Sequence, residues 1–255
     1  MDVRSRVGLS GNAIVLERGI KIMDEITIRF DRIGESENQD TGAENGGGIS
    51  LRVDSVSGHQ INLSYQTITG NCPQTFGNKL HIWKSDGVKW GSVPFRTYDL
   101  PNDDEDGQIY IQGLNIGKNS FTIGYSVGPD PDQAAASVTI SQDENGGLEY
   151  RYGSCRIEMT AANDTSVSFS YQTVEGYTPK EHQAFAAIWE RKRVPYPGKN
   201  EIALVRIDCD NDQGTGIIGQ LNLASGQDYC LGLFLPGDGL ADTRTYLAAS
   251  CTFQY

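Results

Sequence analysis

The residues of this chain best suited to chemistry form two acidic stretches. In "PNDDEDGQ", Asn102, Asp103, Asp104 and Asp106 precede Gly107; in "DCDNDQGTG", Asp208, Asp210, Asn211 and Asp212 precede Gly214. Clustered carboxylate and amide oxygens on a turn are what Ca²⁺ takes, because a hard cation collects roughly six to eight oxygen ligands. Asp103, Asp104, Asp106, Asp208, Asp210 and Asp212 are therefore the candidate metal ligands, and Ca²⁺ is the one cofactor the sequence suggests. The spacing of an EF-hand with its closing Glu is absent, and Asp, Asn and Gly also make good turns with no ion bound.

Catalytic constellations are harder to find. The three histidines, His59, His81 and His182, fall in a turn, a strand and a loop by pattern. A serine or cysteine nucleophile needs a base within hydrogen-bond reach, usually on an exposed turn such as G-x-S-x-G, and no such turn occurs. Neither H-E-x-x-H nor a dinucleotide glycine motif is present, and "GTGIIG" lacks the lysine of a phosphate loop, which leaves it as a glycine-rich strand edge. The expectation is a protein that is not an enzyme. Its five cysteines, Cys72, Cys155, Cys209, Cys230 and Cys251, match no zinc spacing. They read as mostly buried free thiols, or as free thiols plus one disulfide in the second half of the chain.

The acidic stretches belong to a larger repetition. "SYQT" occurs as Ser64–Thr67 and again as Ser170–Thr173; Gly70, Pro73, Ile82 and Trp83 recur as Gly176, Pro179, Ile188 and Trp189, all 106 residues on. That period exceeds the roughly 20 to 50 residues of solenoid and propeller repeats, so each copy has the length of a domain. The boundaries predicted are an N-terminal arm and Gly-rich linker over residues 1–47, a first copy over 48–147 and a second over 148–255. Within the arm "ITIRF" alternates like a strand, while "AIVLERGIKIM" fits either a strand pair or a short helix. "INLSYQT" puts Ile61, Leu63 and Tyr65 on one face, and the second copy does the same with Val167, Phe169 and Tyr171. The tyrosine of SYQT is thus predicted to be an inward core residue.

Composition narrows the partners. A net charge of −12 repels phosphate backbones, which argues against nucleic acid, and no run approaches the ~20 apolar residues of a membrane span. Arg and Glu interrupt the N-terminus, so no signal-peptide core is seen. A cytoplasmic protein, one exported by a route without such a signal, and a processed form all remain open. Thirty glycines against three methionines suit short strands and turns.

Two features carry a family resemblance. "GQDYCLGLFLPG" places Tyr229 six residues after Leu223 across a polar turn, with Phe121 at the matching place of the first copy, and a Trp stands where a third strand is expected. This arrangement resembles the tyrosine-corner region of immunoglobulin-like and fibronectin type III sandwiches. The resemblance covers residues 49–255 and implies an all-β fold of two tandem immunoglobulin-like β-sandwich domains with an N-terminal strand-forming arm. It also places Trp83 and Trp189 inside the core, although each stands next to an isoleucine that must then face outward; the converse would leave the Trp on an open face, able to stack on a sugar or anchor a protein. The loops "VGPDPDQ" and "LPGDGLADTR" fall where relatives carry recognition, which adds Asp130, Asp132, Asp238 and Asp242 to Trp83 and Trp189 as candidate binding residues. The expected function is recognition of a protein or glycan through loops and exposed aromatic faces. The alternative is a self-assembling structural subunit that exchanges its arm strand with other copies of itself.

Overall fold

Backbone pairing builds this molecule almost entirely from antiparallel strands. The computed structural model describes residues 27–31, 47–236 and 244–255, and among these there is no α-helix, only 3-10 turns at Ile116–Lys118 and Pro131–Gln133. Most of the 1–47 arm lies outside the described residues, as do Asp238 and Asp242. The strand expected at "ITIRF" is present as β1 (Thr27–Asp31).

The first half of the chain supplies β2 (Ser50–Ser57), β3 (Gln60–Gln66), β4 (Lys79–Trp83), β5 (Arg96–Asp99), β6 (Asp106–Gln112), β7 (Phe121–Ser126), β8 (Ala134–Gln142) and β9 (Leu148–Ser154). The second half follows with β10 (Arg156–Asn163), β11 (Ser166–Gln172), β12 (Phe185–Trp189), β13 (Ala203–Arg206), β14 (Gln213–Gly219), β15 (Asp228–Phe234) and β16 (Leu247–Gln254). Four antiparallel sheets result, in the orders β1-β6-β3-β2, β5-β4-β7-β8-β9, β10-β11-β14 and β13-β12-β15-β16. Without β1 and β9, each half is the same arrangement of three strands facing four.

Alternation explains which face each strand buries. In β3, Ile61, Leu63 and Tyr65 are buried, and in β11 Val167, Phe169 and Tyr171, as the sequence predicts. They meet Ile82, Ile123 and Val138 from the facing sheet of the first half, and Ile188, Leu231 and Leu233 in the second. These side chains belong to one hydrophobic cluster that runs through both halves. Each fully buried aliphatic side chain contributes about 1.5 to 3 kcal/mol by leaving water. In the second half the backbone N–H of Ala224 donates to Tyr229 Oη at 2.8 Å.

One feature differs from the pattern read in sequence. Residues 148–154, grouped there with the second copy, pair as β9 with β8 of the first half. All five cysteines are free thiols; Cys155, Cys230 and Cys251 are buried, Cys72 and Cys209 half-buried.

His81 is wholly buried on β4, with ring nitrogens 2.9 Å from Thr97 Oγ1 and 3.0 Å from Ser126 Oγ. Burial, and then the nearby Lys79 ammonium, push its pKa from 6.5 down to about 4. Between those values the unfolded chain binds a proton that the folded protein refuses, so stability falls as pH drops through this window. The expected loss between pH 7 and pH 4 is at most about 3 kcal/mol from this residue alone. Urea titrations of wild type and His81→Ala, the residue type at the equivalent position 187, should show a shallower decline in the variant.

Candidate functional site

The duplicated motifs converge where the two halves meet. Gly70 and Gly176, each three residues past its SYQT, have φ of +90° and +78°, a conformation glycine adopts without strain. A side chain at Gly176 would stand 3.3 Å from the Trp90 ring, and one at Gly70 would stand 3.4 Å from the Tyr196 ring. Trp90 and Tyr196 are themselves 106 residues apart, so each half lays an aromatic ring over the glycine turn of the other. Trp90 Nε1 also donates to the carbonyl of Glu175 at 2.9 Å, and Phe76 stacks on Tyr196 at 5.6 Å. Backbone pairs are exchanged as well. Gly48 bridges Ala249, and the N–H of Cys155 donates to the Ala135 carbonyl at 2.8 Å. Contacts that are reciprocal in this way are the hallmark of an isologous pair, here within one chain.

The acidic stretches hold this seam in shape. The carboxylate of Glu105 accepts from Gly70 N–H at 2.6 Å, and that of Asp212 from Gly176 N–H at 2.9 Å. Asp103 accepts from both the backbone N–H and the hydroxyl of Thr75, which holds its carboxyl below the usual range, and Asp210 accepts from the Glu181 N–H. Asp208 pairs with Lys180 at 3.0 Å, and Asp104 accepts from the Asn102 side chain at 2.6 Å. Asp106 opens β6 opposite Gln66. Among the described residues no three carboxylate, histidine or thiol groups come together as a metal ion requires. The recurrence has a structural role in both copies, where the Glu105 and Asp212 carboxylates tie down the turn after SYQT.

The tryptophans depart both from the expectation that Trp packs inside and from the alternative that it lies on an open face. Ile82 and Ile188 enter the shared core, which places Trp83 and Trp189 on the outer faces of their sheets instead of inside as the resemblance implies. Even so they are only 3% and 1% exposed, so neither ring offers a face to a partner. Trp189 packs with Phe185, Phe234, Leu247 and Tyr196 in a separate apolar cluster and donates to the Lys199 carbonyl at 3.1 Å. Asp130 and Asp132 are also occupied locally: Asp130 caps the 3-10 turn by accepting from Asp132 N–H, and Asp132 accepts from Gly91 N–H at 2.9 Å.

The two equivalent outer faces have diverged in polarity. Where the second half carries Ala187, Cys230 and Phe234, the first carries His81, Thr122 and Ser126, all buried. Thr122 and Thr139 share a hydrogen bond at 2.9 Å, and Thr122 donates to the Ser85 carbonyl. Beside this face lies a cleft of about 610 Å³ between the halves. Ser137 and Thr139 of β8 are nearly buried in its lining; Asp86 to Trp90 form one side and Thr173 to Gly176 the other. Arg151, facing the same way as Gly153 on β9, reaches the Asp86 carbonyl and stands 4.0 Å from the Glu175 carboxylate, so it links the two rims. Lys89 lies 3.5 Å from Asp86, whose carboxyl is held below its ordinary pKa by its own backbone N–H and then by that ammonium. None of the histidines or cysteines lines the cleft.

Sequence reasoning does not reach this cleft, because its residues come from five segments of both copies. One signal was legible: "LEYRYGS" alternates, which sends Arg151 to the cleft and leaves Leu148, Tyr150 and Tyr152 exposed on the other face of β9.

Replacing Asp103 by Ala should lower stability by about 1 kcal/mol, since two donors on Thr75 lose their acceptor to solvent. Adding Ca²⁺ or chelator should leave the melting temperature of wild type unchanged; a rise with Ca²⁺ alone would restore the metal reading. No protein-family model and no curated protein matches this chain.

Proposed function

We propose that the protein is a non-enzymatic recognition protein, made of two tandem immunoglobulin-like or fibronectin type III-like β-sandwich domains with an N-terminal strand-forming arm, whose cleft takes a glycan. The domain assignment is supported by three strands facing four in each half and by the hydrogen bond of Tyr229 to Ala224. Arm and linker would occupy residues 1–47 and the domains 48–147 and 148–255.

One observation carries the functional reading: of two equivalent outer faces, the second is filled by Phe185, Phe234 and Tyr196, and the first is polar beside a cleft. A hydroxyl-rich ligand suits such a lining. Ser137 and Thr139 can donate and accept, Arg151 and the carboxylates of Glu175 and Asp212 can form charge-assisted bonds to sugar hydroxyls, and the half-buried Trp90 supplies an aromatic edge. The cleft is within the usual size range for small-ligand sites. No helix among the described residues is long and apolar enough to cross a membrane.

A second reading, a self-assembling structural subunit, rests on β1. Its residues Thr27–Asp31 add a fourth strand to the edge of β6, with Ile28 and Phe30 packed against the core and Arg29 over the Tyr110 ring, a contact that the same strand of another copy could supply equally well.

Calorimetric titration with a panel of neutral and acidic oligosaccharides tests the first reading. At least one sugar should bind, and Arg151→Ala should weaken it about tenfold, equivalent to about 1.4 kcal/mol, with the melting temperature unchanged. Binding that survives Arg151→Ala, or no binding at all, would remove the cleft from consideration.

A further inference from the structure

The same strand position is treated differently in the two halves. The outer edge of β6 is covered by β1 through five residue pairs, from Thr27 opposite Gln112 to Asp31 opposite Gln108. Its counterpart β14 pairs with β11 on one side and, among the described residues, with no strand on the other. An uncovered edge presents a row of backbone donors and acceptors, and proteins ordinarily blunt it with charge, proline or a bulge. Among the described residues eight strands end a sheet. Only β14 and β16 contain no charged residue, and β16 meets Gly48 across its outer side. β14 reads Gln-Gly-Thr-Gly-Ile-Ile-Gly, with no charge, no proline and a continuous register on β11.

Side chains point to the same conclusion. Gly214 and Gly216 lie under the Tyr171 and Phe169 rings and Ile218 is buried, so Thr215 and Ile217 face outward. Ile217 is 62% exposed. On β13, the strand packed beside β14, Leu204 is 45% exposed, and Ile202 just before it 46%. Leu204 points away from the core on the other sheet, so of these three Ile217 alone stands on the outer face of β14. In a protein of net charge −12, an uncharged strand is also where two like-charged molecules can approach at least electrostatic cost.

We infer that β14 is the contact of a two-fold dimer of this chain. Two copies of β14 running antiparallel about an axis through Gly216 set Thr215 opposite Ile217 of the second copy, and the reverse, so that β-branched side chains pair twice across the junction. The two three-stranded sheets become one of six. The contact is isologous and closes at two copies, leaving no further edge of this kind to propagate. This assignment is independent of what the cleft binds; it would make binding bivalent, with avidity set by the fixed spacing of two clefts.

Light scattering on the full chain, from micromolar concentration to its solubility limit, should give twice the chain mass. Ile217→Lys and, separately, Thr215→Lys should each give the single-chain mass with an unchanged melting profile at matched monomer concentration, while Val93→Lys, at a fully exposed site in the first half, should remain dimeric. A wild type that stays monomeric, a particle larger than a dimer, or a dimer indifferent to both lysine variants would overturn the inference. The last outcome would point to exchange of β1 in its place. Loss of the dimer with sugar binding retained, or the converse, separates this contact from the cleft.

Discussion

Everything in this structure depends on the contact in which each half lays an aromatic ring over a left-handed glycine of the other. Trp90 over Gly176 and Tyr196 over Gly70 can approach so closely only because neither turn carries a side chain. Those turns keep their shape because Glu105 and Asp212 hold the glycine N–H groups, and because Thr67 and Thr173 donate backbone N–H to the carbonyls of the same two acidic residues at 2.7 Å. The repeated tetrapeptide therefore has two jobs. Its tyrosine fills the core, and its threonine fastens the turn on which the other half rests. A duplicated unit with these contacts behaves like a dimer whose subunits happen to be covalently joined.

Much of the fold was legible in the residues. Period-two alternation in β3 and β11 placed Tyr65 and Tyr171 inward, because a strand half-exposed on one face leaves that imprint. The acidic stretches were legible as equivalent loops, yet their partners were not, since Thr75, Gly70, Gly176 and Glu181 are roughly 30 residues away in sequence and adjacent only after folding. The tryptophans show a different obstacle. Parity correctly required Ile and Trp to face opposite ways, but the sequence could not reveal that Tyr196 would pack on the cluster around Trp189, or that Trp83 would be buried beside His81. The cleft was out of reach for the same reason, as it has no segment of its own.

Divergence between the copies is concentrated on the outer faces of the four-strand layers. In the second half, aromatic rings fill that space: Phe185 and Phe234 stack at 4.7 Å with their planes 2° apart. In the first, hydroxyls and an imidazole satisfy one another in a buried polar layer. Such layers are tolerable only when their groups are paired, because an unpaired buried donor costs about 1 to 3 kcal/mol. Trp83 Nε1 is one donor in this layer without an acceptor among the described residues. An apolar filling would have been simpler to stabilise, so the polar layer is the part of the molecule where packing alone explains least.

The bridge between Gly48 and Ala249 ties residues near the start of the first half to the last strand of the chain. During synthesis from the N-terminus, β2 to β9 emerge long before β16 exists, so the segment leading into β2 waits for this bridge until β16 has been made. Contacts of such wide sequence separation close late and slowly. The nascent first half therefore waits with an unfinished border, and β16 acts as a clasp that closes on β15 and on Gly48 together.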